Sequence, residues 1–236
     1  VESPASVAGS QKARVVAKGC PYYALSIMEY VIGFFAVGAV ALLGAISPGP
    51  DFAMVVKNAL LGSKKAGMAT ALGVAVGCLV HVTYSVIGIG ALVSQSILAF
   101  TVVKWLGALY LLYLGVKMLL SNNGGTVPLV ATGPQVMNSF FSSFRQGFIT
   151  NVLNPKATLF FLAIFTQVIS LSTPLVIKAA YGLEVALLTG SWFVLLTVLL
   201  NVELFKKRLS RYMHRIEQTM GVVLILLAGK VALDQR

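Results

Sequence analysis

The chain is dominated by long apolar stretches separated by short polar segments. Four stretches contain no Asp, Glu, Lys or Arg, and they cover residues 30–46, 66–103, 157–177 and 185–202. A helix needs roughly 20 residues to cross the hydrocarbon of a bilayer, so the second stretch is long enough for nearly two crossings. With 58% hydrophobic and only 11% charged residues, the composition lies outside the range of ordinary soluble domains. The pattern predicts an all-α integral membrane protein.

Apolar runs between polar segments predict six membrane-spanning helices. Their approximate bounds are 28–47, 66–92, 98–120, 147–171, 176–201 and 215–233. The longest connection, 121–146, contains NNGG and GP, which are typical of a flexible loop. This central loop separates a first three-helix repeat, 28–120, from a second, 147–236. Residues 1–27 are interpreted as an N-terminal extension, either a misassigned start or a segment derived from an expression vector, with a short amphipathic anchor as the alternative.

The distribution of lysine and arginine orients these helices. The first, third and fifth loops hold more of these residues than the opposite side, and KKRLSRYMHR (206–215) in the fifth loop is the richest segment. Since cytoplasmic loops are enriched in Lys and Arg, the odd loops are predicted to lie in the cytoplasm and both termini outside. A five-span chain with its N terminus inside is the alternative. The net charge of +11 is therefore attributed to topology and not to a nucleic-acid partner.

The two halves of the chain resemble each other. The segment LGALYLLYLGVKML (106–119) aligns with MGVVLILLAGKVAL (220–233), glycine on glycine at two positions. The first helix of each half also carries a proline motif, SPGPD at 47–51 and NPK at 154–156. A repeat with an odd number of spans inserts in opposite orientations, and secondary transporters of this kind place their site at the repeat interface near the midplane. The sequence therefore predicts two inverted three-helix repeats.

The SPGPD motif is the first candidate for chemistry. Pro48 and Pro50 remove backbone donors and break the helix, while Gly49 allows backbone conformations closed to other residues. Carbonyls freed in hydrocarbon need protein or a water-filled cavity, so the motif, which starts at Ser47, either caps a helix at the interface or lines a polar cavity. A partly desolvated Asp51 could exchange protons or pair with a substrate ammonium. The alternative is that Asp51 only caps the next helix.

The second candidate lies in GFITNVLNPKATLFF. Asn151, Asn154 and Lys156 interrupt an apolar helix there, and Pro155 again breaks the hydrogen-bond ladder. A lysine at the membrane centre costs about 2.5–3.5 kcal/mol on insertion scales, so it needs a carboxylate, a carbonyl or water. Asp51 is the predicted partner, and a substrate with both an ammonium and a carboxylate would complement the pair. The alternative is that Lys156 extends to the cytoplasmic interface.

Other polar residues give weaker signals. His81, one turn from Tyr84 on an apolar helix, is either a hydrogen-bonded packing residue or, together with Asp51, a proton relay. Glu184 is interpreted as an ordinary interfacial acid at the start of the fifth helix. The sequence contains no phosphate-binding loop, dinucleotide fingerprint, paired-histidine metal site or nucleophilic triad, so neither an enzyme nor a bound cofactor or metal is predicted.

Four motifs occur in order between Met28 and Arg236. They are SPGPDF after the first apolar helix, SKKAGMATALGVAVG in the basic loop and second helix, WLGALYLLYLG in the third helix, and GFITNVLNPKATLFF in the fourth. Together they resemble the LysE/RhtB family of amino-acid exporters. The resemblance implies a six-helix, multi-pass exporter in the inner (plasma) membrane for amino acids such as threonine, homoserine or lysine. It also implies an antiporter driven by the proton gradient and is compatible with a homodimer.

The resemblance also assigns transport roles by motif. The implied residues are Ser47, Pro48, Gly49, Pro50 and Asp51 in the first half and Asn151, Asn154, Pro155 and Lys156 in the second. The predicted partners are a small amino acid and membrane lipid. The alternative function is export of a small cation or metal ion on the same scaffold, which would favour clustered His, Cys or acidic residues in the membrane or in the central loop, and the loop segment 121–146 contains none.

Overall fold

The computed structural model describes residues 27–121, 138–168 and 173–233. These residues form α-helices and a π-helix, and none of them forms a strand. The α-helices are α1 Ile27–Ile46, α2 Pro50–Lys57, α3 Lys64–Gln95, α4 Ile97–Leu119, α5 Phe140–Val152, α6 Pro155–Val168, α7 Leu175–Leu199 and α8 Glu203–Leu233. A π-helical segment, Asn58–Gly62, follows α2. By its internal contacts the chain forms two units, 1–36 and 37–236. The predicted N-terminal extension and most of the predicted central loop lie outside the described residues.

Four of the described helices are long and apolar enough to cross a membrane. They are Ile27–Ile46, Lys64–Gly88, Thr101–Leu119 and Leu175–Leu199, and they correspond to the predicted first, second, third and fifth spans. The predicted span 215–233 forms the second part of α8, which begins at Glu203 and so includes the basic stretch. The all-helical class is confirmed, and the six-span arrangement stays a prediction.

Two helices are interrupted at the proline motifs. In the first half α1 ends at Ile46 and α2 begins at Pro50, and in the second half α5 ends at Val152 and α6 begins at Pro155. Proline suits the first position of a helix, where its missing N–H would have no partner in any case. The helix predicted as one element over 147–171 is therefore two helices.

Helices α3 and α5 pack through glycines. A Cβ atom on Gly73 would overlap the backbone carbonyl of Phe144, and one on Gly147 would overlap the backbone carbonyl of Thr70. Small residues allow membrane helices to approach until their backbones touch. This contact brings the second interrupted helix against α3.

Helices α4 and α8 also cross at glycines. A Cβ atom on Gly115 would lie 2.7 Å from the carbonyl oxygen of Gly221, and a Cβ atom on Gly221 would lie 2.7 Å from that of Gly115. Gly115 also faces Ile225, whereas Gly221 also faces Leu119. Since the later residue of one helix faces the earlier residue of the other, α4 and α8 run antiparallel.

The π-helical segment is tied to its neighbours by a buried amide. Asn58 Nδ2 donates to Thr70 Oγ1 on α3 at 2.8 Å and to Gln146 Oε1 on α5 at 3.2 Å. Thr70 Oγ1 in turn donates to the carbonyl oxygen of Ala66 at 2.8 Å. These bonds satisfy polar groups that would be costly to bury alone, and they fix the end of α2 against α3 and α5.

Replacing Gly147 with alanine is expected to destabilise the protein by about 1–3 kcal/mol, the range for overpacked interiors. The new methyl group would meet the backbone of Thr70, which cannot rotate away. The thermal midpoint of the purified protein in detergent measures the loss. Gly229→Ala is the matched control, because nothing lies within 4 Å of a Cβ atom there. Equal midpoints for the two variants would contradict the close contact of α3 and α5.

Candidate functional site

A cavity of about 60 Å³ lies where the two helix breaks meet. Its polar lining residues are Ser47, Asp51, Asn151, Asn154, Lys156 and Thr189. Its aromatic lining residues are Phe52, Phe160, Phe161 and Phe193. The cavity thus combines charged and amide groups from both breaks with an apolar wall.

Asp51 lies in the first turn of α2 and is held by the second half of the chain. Its Oδ2 accepts hydrogen bonds from the Nδ2 atoms of Asn151 and Asn154, each at 2.9 Å. Its Oδ1 is buried and has no partner among the described residues. The N-cap position of α2 is occupied by Gly49, so the alternative role of Asp51 as an N-cap is not seen. Asp51 therefore keeps one carboxylate oxygen without a protein partner at the cavity wall.

Lys156 lies in the first turn of α6 and reaches back to the first break. Its Nζ donates to Ser47 Oγ at 2.8 Å and lies 3.4 Å and 3.3 Å from the carbonyl oxygens of Ser47 and Pro48. The interrupted helix leaves these carbonyls without helical donors, and the negative end of the α1 dipole favours an ammonium there.

The predicted ion pair between Lys156 and Asp51 is not formed. Asp51 instead takes its hydrogen bonds from the two asparagine amides, and Lys156 takes oxygen acceptors at the end of α1. The two charges interact only at longer range. The physical reason is that the prolines free carbonyl oxygens closer to the ammonium, and these oxygens need a donor. Lys156 does not extend to the interface either.

The remaining predicted residues shape the backbone. Pro50 and Pro155 begin α2 and α6. Gly49 has φ −176° and ψ −173°, which is extended backbone open to any residue, so the expected need for glycine's conformational freedom is wrong. Its missing side chain matters instead, because a Cβ atom there would lie 3.3 Å from Lys156 Nζ. Gly49 leaves room for the ammonium.

His81 is fully buried on α3 beside the second break. Its Nε2 lies 2.9 Å from the carbonyl oxygen of Asn151, and its Nδ1 contacts the hydroxyl of Tyr84. A carbonyl only accepts, so Nε2 donates to it, and Nδ1 forms a second hydrogen bond with the Tyr84 hydroxyl. The ring also stacks on Phe161, with centroids 5.3 Å apart. These contacts agree with the packing alternative, and the proton-relay role stays a prediction.

Several residues of the site were not predicted from the sequence. The lining phenylalanines and Thr189 come from apolar helices whose sequence does not separate cavity-facing from lipid-facing positions. Gly77 makes room for Asn151, since a Cβ atom there would lie 2.6 Å from Asn151 Oδ1. Glu217 on α8 is 8% exposed and interacts electrostatically with Lys156. In the sequence, the feature that could have pointed to Glu217 is the presence of an acid within a strongly basic segment.

Two interrupted helices that meet at a polar cavity, within a bundle of membrane-length apolar helices, define a membrane transport protein. In secondary transporters, broken helices expose backbone groups and helix ends to a substrate or ion. Both features are present here.

Comparison with known proteins assigns the family. The model of the LysE type translocator family matches residues 42–235, and the chain belongs to this family. The uncharacterized membrane protein YrhP of Bacillus subtilis is 30% identical over 204 residues, which are 83% of this chain and 96% of that protein. The leucine efflux protein of Salmonella typhimurium is 32% identical over 156 residues, 65% of this chain and 68% of that protein. No solved structure matches the chain.

The family assignment confirms the resemblance seen in the motifs. The matched range contains both helix breaks and every residue of the cavity except Ala41. The translocators of this family are transport proteins, in agreement with the class that the fold and cavity define.

Proposed function

We propose that this protein exports neutral amino acids across the cytoplasmic (inner) membrane and uses the proton gradient to drive export. The observation that carries the proposal is the buried, unpartnered Oδ1 of Asp51 at the cavity wall. A buried acceptor without a donor costs free energy, and a substrate ammonium would satisfy it. Membership in a translocator family and similarity to a leucine efflux protein support an amino acid as the ligand.

The two charged ends of an amino acid match the two charged residues at the helix breaks, Asp51 and Lys156. The ammonium would bind Asp51, and the carboxylate would approach Lys156. The contacts of Lys156 Nζ with the carbonyl oxygens of Ser47 and Pro48 are long, at 3.4 Å and 3.3 Å. A carboxylate carries a full negative charge and attracts an ammonium more strongly than a neutral carbonyl does, so a substrate carboxylate would replace these carbonyls. Substrate binding would then release Lys156 from the end of α1 and loosen one link between the halves.

The lining of the cavity favours a neutral substrate side chain. Asp51 is the one acid among the lining residues that the structure describes, and the α-ammonium of the substrate occupies it. The side-chain ammonium of lysine would then be buried beside phenylalanines without an anion, which is costly. Leucine, threonine and homoserine fit these surroundings better than lysine.

We extend the proposal to the architecture, as six spans in two inverted three-helix repeats. Each half consists of an interrupted helix with proline at the start of its second part, followed by two long helices. The last helices of the halves, α4 and α8, run antiparallel, which supports opposite orientations of the repeats. The basic stretch at the start of α8 then faces the cytoplasm.

Transport by purified protein in liposomes tests the function. Vesicles with and without a pH gradient receive labelled leucine, threonine, homoserine and lysine, and separate vesicles receive sodium and zinc ions. We expect gradient-driven transport of the neutral amino acids at least about tenfold faster than that of lysine, because an unpaired buried charge is costly. Transport of a cation without any amino acid would overturn the proposal. Within 27–121, 138–168 and 173–233, no group of three His, Cys, Asp or Glu residues is placed to hold a metal ion.

A further inference from the structure

Glu184 is an acid within a helix that is long and apolar enough to span the membrane. It lies on α7, Leu175–Leu199, about two and a half turns after the start of the helix. The expected position of Glu184 at the start of the helix is therefore corrected, and its interpretation as an interfacial acid stays a prediction. An ionisable residue at such a position is costly and usually has a function.

The carboxyl group of Glu184 lies in a narrow seam between α7 and α1. A Cβ atom on Gly38 would overlap Glu184 Oε1 and would lie 3.2 Å from Leu188 Cδ1. We call this contact of Gly38 with Glu184 and Leu188 the α1–α7 seam. Oε2 is buried and has no hydrogen-bond partner among the described residues. Glycine at position 38 is what lets α1 approach the carboxyl group.

No salt bridge to this carboxyl group is formed within the described ranges. Residues 37–46 of α1 include no titratable side chain. Helices α2 and α3 pack on α7. Apart from Glu184, the titratable residues of these three helices are Asp51, Lys57, Lys64, Lys65, Cys78, His81, Tyr84, Lys178 and Tyr181. A protonated acid is compatible with this seam, whereas a carboxylate would need water or a cation.

The seam is connected to the substrate cavity through both of its helices. Ala41, one turn beyond Gly38 on α1, lines the cavity, and so do Val185 and Thr189 on α7. A change in the spacing of the seam would therefore shift residues of the cavity wall. Glu184 itself is not a lining residue.

We propose that Glu184 is a proton-binding site, separate from the substrate cavity, whose protonation closes the α1–α7 seam and whose deprotonation opens it to water. The inference rests on the proposed function and deepens it, since it assigns the substrate to Asp51 and the coupling proton to Glu184. The carboxylate takes up a proton from the side of higher proton concentration and releases it on the other side. No other bond is made or broken.

Liposomes containing wild type, Glu184→Gln or Glu203→Gln test this assignment with labelled leucine as the probe. A pH difference of one unit sustains at most about tenfold accumulation per proton. We expect Glu184→Gln to lose this accumulation but to keep downhill leucine flux, and the flux to become independent of pH where that of wild type varies. Glu203 is an exposed acid on α8, so Glu203→Gln should behave as wild type. Gradient-driven accumulation by Glu184→Gln at the wild-type level would overturn the inference.

If the Glu184→Gln protein folds but is inactive in both assays, the variant Glu184→Asp decides between the outcomes. Recovery of accumulation in Glu184→Asp would support the need for a carboxyl group at this position, and no recovery would overturn the proposal. Infrared spectra give a readout that does not depend on transport. The C=O stretch of a protonated carboxylic acid should be weaker in Glu184→Gln than in Glu203→Gln, and identical bands would overturn the proposal. A wild type that transports no amino acid would instead count against the proposed function.

Discussion

Replacing Asp51 with asparagine will reduce amino-acid export by at least about 100-fold, because breaking a buried ion pair costs about 3–5 kcal/mol and each 1.4 kcal/mol is a factor of ten. Asparagine has nearly the same shape, and its carbonyl oxygen can still accept from the amides of Asn151 and Asn154. The backbone at the first break should therefore persist while the anion for the substrate ammonium is lost. Initial rates of leucine transport, at equal amounts of protein in liposomes, measure the effect.

Two further acids serve as comparisons for Asp51→Asn. Glu203 is exposed and pairs with Lys206 at 2.6 Å, and exposed pairs contribute little to stability, so Glu203→Gln should transport like wild type. Glu184→Gln should keep downhill transport and lose only its coupling to the pH gradient. We thus expect Asp51→Asn to impair downhill export more than either variant. Rates equal to that of Glu203→Gln would remove Asp51 from the site.

Replacing Lys156 with methionine will lower both export and stability. The carbonyl oxygens of Ser47 and Pro48 and the hydroxyl of Ser47 lose their donor, and an unsatisfied buried polar group costs about 1–3 kcal/mol. The substrate carboxylate also loses its cation, so export should fall at least about 100-fold, as for any broken buried ion pair. Transport rates and thermal midpoints in detergent measure the two effects separately.

A graded series separates the roles of Lys156. Ser47→Ala removes one acceptor and leaves both carbonyl contacts, so its loss should be nearer tenfold, about the free energy of one hydrogen bond to a charged group. Lys206→Met removes a cation from an exposed pair and should change neither quantity. Normal export by Lys156→Met would show that the ammonium only caps α1 and does not bind the substrate.

The positions of the breaks could be predicted from the sequence, but the partners of their charged residues could not. A proline within an apolar helix removes a donor wherever it occurs, so SPGPD and NPK locate the breaks directly. The partner of Lys156 depends on which oxygens lie nearest in three dimensions. Pairing by charge alone pointed to Asp51, whereas the free carbonyls of Ser47 and Pro48 lie within hydrogen-bond distance of its ammonium.

The buried Oε2 atom of Glu184 and the aromatic wall of the cavity could not be predicted from the sequence either. Phe160, Phe161 and Phe193 line the cavity, yet helices that are apolar all round carry no pattern that separates an inward from an outward face. The sequence places Glu184 near the start of the predicted fifth helix, which favours an interfacial position. Its neighbour Gly38 lies far away in the sequence, and only the packing of α1 on α7 brings the two together.

The glycine crossing of α4 and α8 has a mechanical consequence. No side chain separates the two main chains at Gly115 and Gly221, so a larger residue at either position would push the two helices apart. If the protein transports as proposed, we expect α4 and α8 to keep their spacing. The interrupted helices and α7, which carry Asp51, Lys156 and Glu184, would then be the elements that rock against them to expose the cavity.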